Sequence, residues 1–244
     1  MHQGIYQITE NKPLTDTVYQ MKLKGENPKK ILPGQFVNVK IDSLFLRRPI
    51  SVCDADDDSI TIIYKVVGKG TKELSQMKEG TLDILTDLGN GYDLTLSGQN
   101  PVLIGGGVGV PPLYKLAKEL IKEGKNVTVI LGFNTKEEIF YEEEFKALGA
   151  KVYVTTVDGS YGIKGFVTEA LKDLEYSCFY TCGPMPMLKS IYKNTNTSGQ
   201  FSLEERMGCG FGACMGCSMK TKSGNKRICK EGPVFVKEDL LWED

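Results

Sequence analysis

PVLIGGGVGVPP, residues 101–112, is the stretch from which the fold is read. Val102, Leu103 and Ile104 form a short apolar run, the pattern of a buried strand. It stops at Gly105, Gly106, Gly107 and Gly109, and Pro111 and Pro112 suit the first turn of a helix. Leu113, Leu116, Ala117, Leu120 and Ile121 then recur at helical spacing on one face. A strand, a glycine-rich turn and a helix N-terminus together make a cradle for a pyrophosphate. The glycines do not follow the G-x-G-x-x-G pattern, so the generic dinucleotide motif is matched only in outline.

Toward the C-terminus the same alternation continues. Strands are expected at 127–131, 151–156 and 178–181, and helices at 139–148, 166–174 and 185–193. This order implies a parallel sheet covered by helices on both faces. Ligands bind such sheets at the carboxyl ends of the strands. Those ends carry Gly105 to Gly109, Gly132-Phe133-Asn134, Asp158-Gly159-Ser160 and Cys182-Gly183-Pro184. Gly105, Gly106, Gly107, Gly109, Asn134, Gly183 and Pro184 are therefore the candidate nucleotide contacts. Asn134 is neutral where a 2′-phosphate site favours arginine, which points to NAD(H) over NADP(H), although Lys136 is close by. Cys182 either orients a nicotinamide or fills a strand end as a small core residue.

Toward the N-terminus the period changes from 3.6 to two. Residues 18–23, 36–41, 59–67 and 82–85 alternate or are rich in β-branched side chains, with Pro33-Gly34 and Glu79-Gly80 as breaks. Short strands at this spacing predict a small antiparallel barrel. The N-terminus itself, with His2, reads as a mobile end. Arg47-Arg48-Pro49-Ile50-Ser51 offers an arginine fork for a diphosphate, or simply a solvated basic pair. Gly68-Lys69-Gly70-Thr71 offers a helix start whose N–H groups face an anion, or a plain turn.

At the far end, MGCGFGACMGC (residues 207–217) places Cys209, Cys214 and Cys217 at C-x4-C-x2-C spacing, and Cys229 follows twelve residues later. Four thiolates are what a [2Fe–2S] cluster takes, two for each iron. Zinc also binds four cysteines, usually as two C-x2-C pairs, and disulfides are a third reading. Cys53 and Cys178 lie in apolar strands and read as core. The N-terminus lacks the pattern of a signal peptide, so seven cysteines suit a reducing cytoplasm better than a disulfide framework. The single histidine nearly excludes histidine acid–base chemistry. The 30 basic and 31 acidic residues among 244 argue against nucleic acid or an anionic membrane as main partner. No apolar run approaches a membrane span.

In order, Arg48-Pro49-Ile50-Ser51, Gly70-Thr71, the glycine-rich turn and Cys182-Gly183-Pro184 resemble the ferredoxin–NADP reductase superfamily. Residues 202–207, the cysteine loop and residues 228–235 resemble the electron-transfer subunits of dihydroorotate dehydrogenase B. The resemblance covers almost the whole chain. It implies an antiparallel β-barrel FAD domain (1–97), a parallel-sheet, Rossmann-like NAD domain (98–200) and a small iron–sulfur domain (201–244). By the same resemblance Arg48, Pro49, Ile50, Ser51, Ile63, Tyr64, Lys65, Gly70 and Thr71 contact FAD, and Cys209, Cys214, Cys217 and Cys229 ligate a [2Fe–2S] cluster. Ile50 stands where the superfamily has an aromatic, which leaves Tyr64 as the candidate to stack on the flavin. The implied partner is an FMN-containing catalytic subunit in a heterotetramer of two of each, making orotate in pyrimidine biosynthesis with NAD as acceptor.

Electron counting supports this order. Nicotinamide exchanges two electrons together and a cluster takes one, so a flavin must stand between them. A rival of the same fold is the small subunit of a bifurcating NADH–ferredoxin NADP reductase, a sulfide dehydrogenase or a hydrogenase. A rival of another class is a redox-sensing iron–sulfur module, which would leave the nucleotide elements without a task.

Overall fold

The computed structural model describes residues 1–26 and 30–242. The first part is a closed six-stranded antiparallel barrel, ordered β1-β2-β5-β4-β3-β6. Its strands are β1 (His2–Pro13), β2 (Val18–Lys24), β3 (Phe36–Val39), β4 (Arg48–Ala55), β5 (Ser59–Lys65) and β6 (Thr81–Leu88). Helix α1 (Lys69–Gln76) lies between the last two. The N-terminal segment is not a loose end: β1 is a twelve-residue strand that pairs with both β2 and β6. Without it two neighbours would present bare edges, so this correction follows from the closure of the sheet. Met21, Leu23, Val37, Val39, Val52, Ile60, Ile62 and Ile84 are buried inside the barrel. Each such side chain contributes roughly 1.5–3 kcal/mol.

The second part is a seven-stranded sheet in the order β10-β9-β8-β7-β11-β12-β15. It uses β7 (Val102–Gly106), β8 (Thr128–Phe133), β9 (Lys151–Thr156), β10 (Ile163–Lys164), β11 (Phe179–Cys182) and β12 (Gly199–Ser202), all parallel, and an antiparallel edge strand β15 (Val234–Val236). Alternation along the buried strands sends side chains to opposite faces. Leu103, Val129, Leu131 and Tyr180 meet α2 (Pro112–Lys122) and α3 (Glu142–Ala147) on one face. Val102, Ile104, Ile130 and Phe179 meet α4 (Val167–Leu171) and α5 (Met185–Asn194) on the other. The expected sheet and its helices are therefore present. The edge strand β15 returns to the sheet from beyond the cysteine loop, so the C-terminal segment is fastened by main-chain pairing at Gln200, Phe201 and Ser202. Between β12 and β15 lie the cysteine loop and a hairpin of β13 (Ser218–Thr221) and β14 (Gly224–Arg227).

The barrel and the sheet are locked face to face. Helix α2 lies on β4, where Lys118 pairs with Asp54 at 2.8 Å and buried Lys115 donates to the Ala55 carbonyl at 3.2 Å. Tyr141 donates to Gln20 across the same boundary at 2.9 Å. Among the described residues no helix is long and apolar enough to cross a membrane.

Candidate functional site

The carboxyl ends of β7, β8, β9 and β11 open onto a cavity of about 650 Å³. Gly106, Gly107, Gly109, Asn134, Gly183 and Pro184 line it. Gly109 is required by close approach: a Cβ there would stand 2.3 Å from the Cys182 carbonyl oxygen. Gly107 has φ +52° and nothing within 4 Å of its Cβ position, so its bare backbone faces open space where a phosphate can come close. Gly105 does not line the cavity. Its Cβ would meet Leu113 and Val110, so its role is to let α2 pack on β7.

Of the two readings of Cys182, the geometry matches the buried strand-end residue. The thiol is buried and absent from the cavity lining, and it is held by a hydrogen bond with Ser202. Burial pushes it well above the ordinary thiol range. Only its main chain shapes the floor of the site, beneath Gly109.

Two acidic residues line the cavity as well, of which the sequence reading passed over Glu138 and left the role of Glu204 open. Glu138 accepts from the Asn134 main-chain N–H (3.1 Å) and from Asn134 Nδ2 (2.9 Å), which fixes a carboxylate at the rim. Glu204 lies in the same lining; burial pushes its carboxyl above the usual range although much of the side chain is exposed. The signal for Glu138 was an acid four residues beyond Asn134, at the end of the second parallel strand.

A second feature lies in the barrel wall. Strands β4 and β5 pair only between Val52 and Ala55 on one side and Ile60 and Ile62 on the other. Among the described residues, 48–51 pair solely with β3, and 63–65 solely with β2. The two strands therefore splay, and facing main-chain edges are left without strand partners. Such a slit can hold a flat polar ring by its edge. Arg48 stands at one end of it: a Cβ on Gly70 would come within 2.7 Å of Arg48 Nε, so arginine and the first turn of α1 are in contact. That helix begins at Gly68, and Thr71 Oγ1 accepts from the N–H groups of Val67 (2.9 Å) and Gly68 (3.3 Å). A guanidinium beside a helix N-terminus without acidic residues fits a diphosphate. Lys65, at the end of the slit, also lines the nucleotide cavity, so the two spaces meet.

Two expectations fail here. Arg47 is not part of a fork, because it is held bidentate by Asp83 (3.0 and 3.0 Å). Tyr64 does not stack on a ligand. Its ring lies in the barrel core against Tyr19 and its hydroxyl donates to Asn11 at 3.0 Å, so only its main chain faces the slit.

The four cysteines are brought together as two pairs. Cys209 N–H donates to Cys214 Sγ at 3.5 Å, and Cys214 N–H donates to Cys209 Sγ at 3.4 Å. Cys229 N–H donates to Cys217 Sγ at 3.4 Å. Burial opposes ionisation of Cys209, but hydrogen bonds from the main chain of Phe211 and Cys214, from the Cys214 side chain and from Ala213 bring it down to about 6. Burial, with Cys217 and Cys209 beside it, pushes Cys229 up to about 12. No three metal-ligating groups converge on one point among the described residues. Two pairs of thiols can serve a cluster with two irons, one pair to each. Among the described residues no disulfide joins any of the seven cysteines.

A barrel with a slit in its wall, a nucleotide cavity on a parallel sheet and a paired-thiol loop fit an NAD-dependent flavin and iron–sulfur oxidoreductase subunit. Residues 204–241 match the iron–sulfur cluster binding domain of dihydroorotate dehydrogenase B, and residues 103–193 match the oxidoreductase NAD-binding domain. The chain is 45% identical to the dihydroorotate dehydrogenase B (NAD(+)) electron transfer subunit of Fusobacterium nucleatum subsp. nucleatum, over 97% of each chain. It is 43% identical to that of Bacillus pumilus, over 98% of each. Among solved structures, one of an NADH-dependent reduced ferredoxin–NADP oxidoreductase superposes with a TM-score of 0.87 at 32% identity, covering 97% of this chain and 90% of that one. A ferredoxin reductase of carbazole 1,9a-dioxygenase superposes with a TM-score of 0.70 at 22% identity, covering 79% and 64%, and shares the fold. The chain belongs to the family of dihydroorotate dehydrogenase B (NAD(+)) electron transfer subunits. It works with NAD(H), FAD and an iron–sulfur cluster, and links them to the dihydroorotate dehydrogenase catalytic subunit.

Proposed function

We propose that this chain collects electrons from an FMN-bearing dihydroorotate dehydrogenase subunit and delivers them to NAD, in a cytoplasmic heterotetramer of two of each subunit. The turnover is dihydroorotate and NAD⁺ to orotate, NADH and a proton. The observation that carries this reading is the continuity of the three sites: the slit opens into the nucleotide cavity at Lys65, and the cysteine loop sits on β3, the neighbour of β4. When bound, the flavin exchanges electrons in pairs with the nicotinamide and singly with the cluster.

In this reading residues 48–51 and the main chain of residues 63–65 hold the flavin edge, and Arg48 with the first turn of α1 takes the diphosphate. Gly106, Gly107 and Gly109 admit the nucleotide phosphates, and Gly183 and Pro184 bound the nicotinamide end. Glu138 accepts from the adenosine ribose hydroxyls and repels a 2′-phosphate, while Lys65 and Glu204 border the junction of the two spaces. Cys209 and Cys214 take one iron, and Cys217 and Cys229 the other. The functional units run 1–97, 98–200 and 201–244, the last being tied back by β15. The partner docks where Cys214, Phe211 and Met215 are exposed. Fully exposed Phe45 and half-exposed Leu46, on the loop between β3 and β4, offer the partner a further apolar contact.

The test is co-expression with the FMN-bearing subunit. Co-purification, with orotate-dependent oxidation of NADH that Phe45→Asp weakens, is the expected result. Turnover that instead needs ferredoxin and NADP would move the chain to the bifurcating class and overturn this assignment.

A further inference from the structure

The sequence singles out Arg47, yet it takes no part in the proposed cofactor contacts. Its guanidinium is spent on Asp83, and the same group donates to the Asp83 carbonyl (2.9 Å) and to the Asn38 carbonyl (3.4 Å). Arg47 thus braces β3 at Asn38. That asparagine is almost wholly buried on the outer side of the barrel wall, between Val37 and Val39, which point into the core. Its Nδ2 donates to the Cys209 carbonyl at 3.2 Å, across 171 residues of chain. On the other side it stands opposite Pro49 of β4 in the strand register.

The cysteine loop is shaped around this one side chain. At Gly210 φ is +75°, and a Cβ there would lie 2.3 Å from Asn38 Nδ2 and 3.7 Å from Oδ1. Meanwhile Asn38 Oδ1 is buried with no hydrogen-bond donor among the described residues. An unmatched buried acceptor costs ~1–3 kcal/mol. Leucine would fill a similar space without that cost, so barrel stability alone does not call for asparagine. The hydrogen bond to Cys209 does.

We infer that Asn38 is a positioning residue: it seats the cysteine loop on the strand that neighbours the flavin slit, and so sets how fast electrons pass between flavin and cluster. The inference rests on the proposed ligand assignment. Electron tunnelling falls steeply with distance, and a loop released from this seat would let its thiolates drift. The brace from Asp83 through Arg47 to Asn38 keeps β3 still beneath it.

The experiment uses protein loaded with FAD and iron, mixed with NADH without oxygen. Flavin bleaching and cluster bleaching are followed separately, and the reduced cluster is examined by electron paramagnetic resonance. Asn38→Ala removes the contact, and Asn38→Asp keeps the shape but cannot donate to Cys209 as the amide does. In both, flavin bleaching should match the wild type, cluster reduction should slow by roughly tenfold, and the resonance of the reduced cluster should shift or broaden. Loss of iron with FAD retained also supports the seat, since Asn38 touches the loop through its main chain and not through a thiol. An unchanged cluster rate and resonance in Asn38→Ala, or wild-type behaviour of Asn38→Asp, would overturn it. Wild-type protein whose cluster is never reduced by NADH would overturn the proposed function instead.

Discussion

The nucleotide cavity and the cysteine loop are built in opposite ways. The cavity is the by-product of regular structure: four parallel strands end together, two helical layers fix them, and glycines let backbones touch. It is formed before any ligand arrives. The loop at residues 207–217 contains no helix or strand, and its shape comes from turns, thiol contacts and its seat on β3. Against burial, main-chain hydrogen bonds lower the proton affinity of Cys209 in the loop, and burial raises that of Cys229 beyond it. Binding a cluster must deprotonate all four thiols, so loop order and metal binding are linked. A site made by packing tolerates the loss of its ligand, whereas a site made by ligation does not.

The sharpest way to separate the two regions is Cys214→Ser. Iron should fall out and electron passage to the partner should cease, while reduction of a soluble dye by NADH stays near wild type. If dye reduction vanishes with the fold intact, the flavin does not stand upstream of the cluster. The reciprocal change is Gly109→Val. Its Cβ would collide with the Cys182 carbonyl, so NADH-driven dye reduction should fall by roughly 100-fold while iron content holds. An activity near wild type would show that the phosphates do not pass this turn.

Within the cavity, Glu138→Gln tests the carboxylate at the rim. The preference for NADH over NADPH, measured as a ratio of kcat/KM, should drop by roughly tenfold because a charge repelling the extra phosphate is lost. An unchanged ratio would remove Glu138 from the specificity argument.

How much of this was legible in the sequence differs by region. The parallel sheet was readable because each strand and helix carries its own period, and the glycine-rich turn marks where they meet. The clustering of Cys209, Cys214, Cys217 and Cys229 was readable from their spacing, which by itself left zinc and disulfides open beside a cluster. The roles of Arg47 and Tyr64 were not. Both look like free surface chemistry until Asp83 and Tyr19, distant in sequence, are brought against them by the barrel register. Cys182 could be read as a cavity thiol or as a core residue, and alternation along β11 turns it inward. The N-terminal strand was hidden for the same reason, since only closure of the barrel gives residues 2–13 their partners.

The smallest effect concerns the anchor of the loop. Arg227 donates to the Gly212 carbonyl and pairs with Glu231, whose carboxyl the guanidinium, acting against burial, holds at about 2. A depressed carboxylate stabilises the fold above its unfolded value near 4.5, and that contribution is lost as pH falls toward 2. The pair is partly exposed, so its worth is at most ~1 kcal/mol. Glu231→Gln should lower Tm by roughly 2–4 °C at pH 7, and the gap to wild type should begin to narrow as pH drops below about 4.5. A gap independent of pH would assign the loss to packing.

The central claim is that a flavin in the barrel slit stands between nicotinamide and cluster. Rapid mixing of anaerobic, fully loaded protein with NADH tests it most directly. Flavin absorbance should bleach first and cluster absorbance only afterwards, with no cluster bleaching in protein stripped of FAD. A cluster that is reduced by NADH at the same rate without flavin would contradict the account.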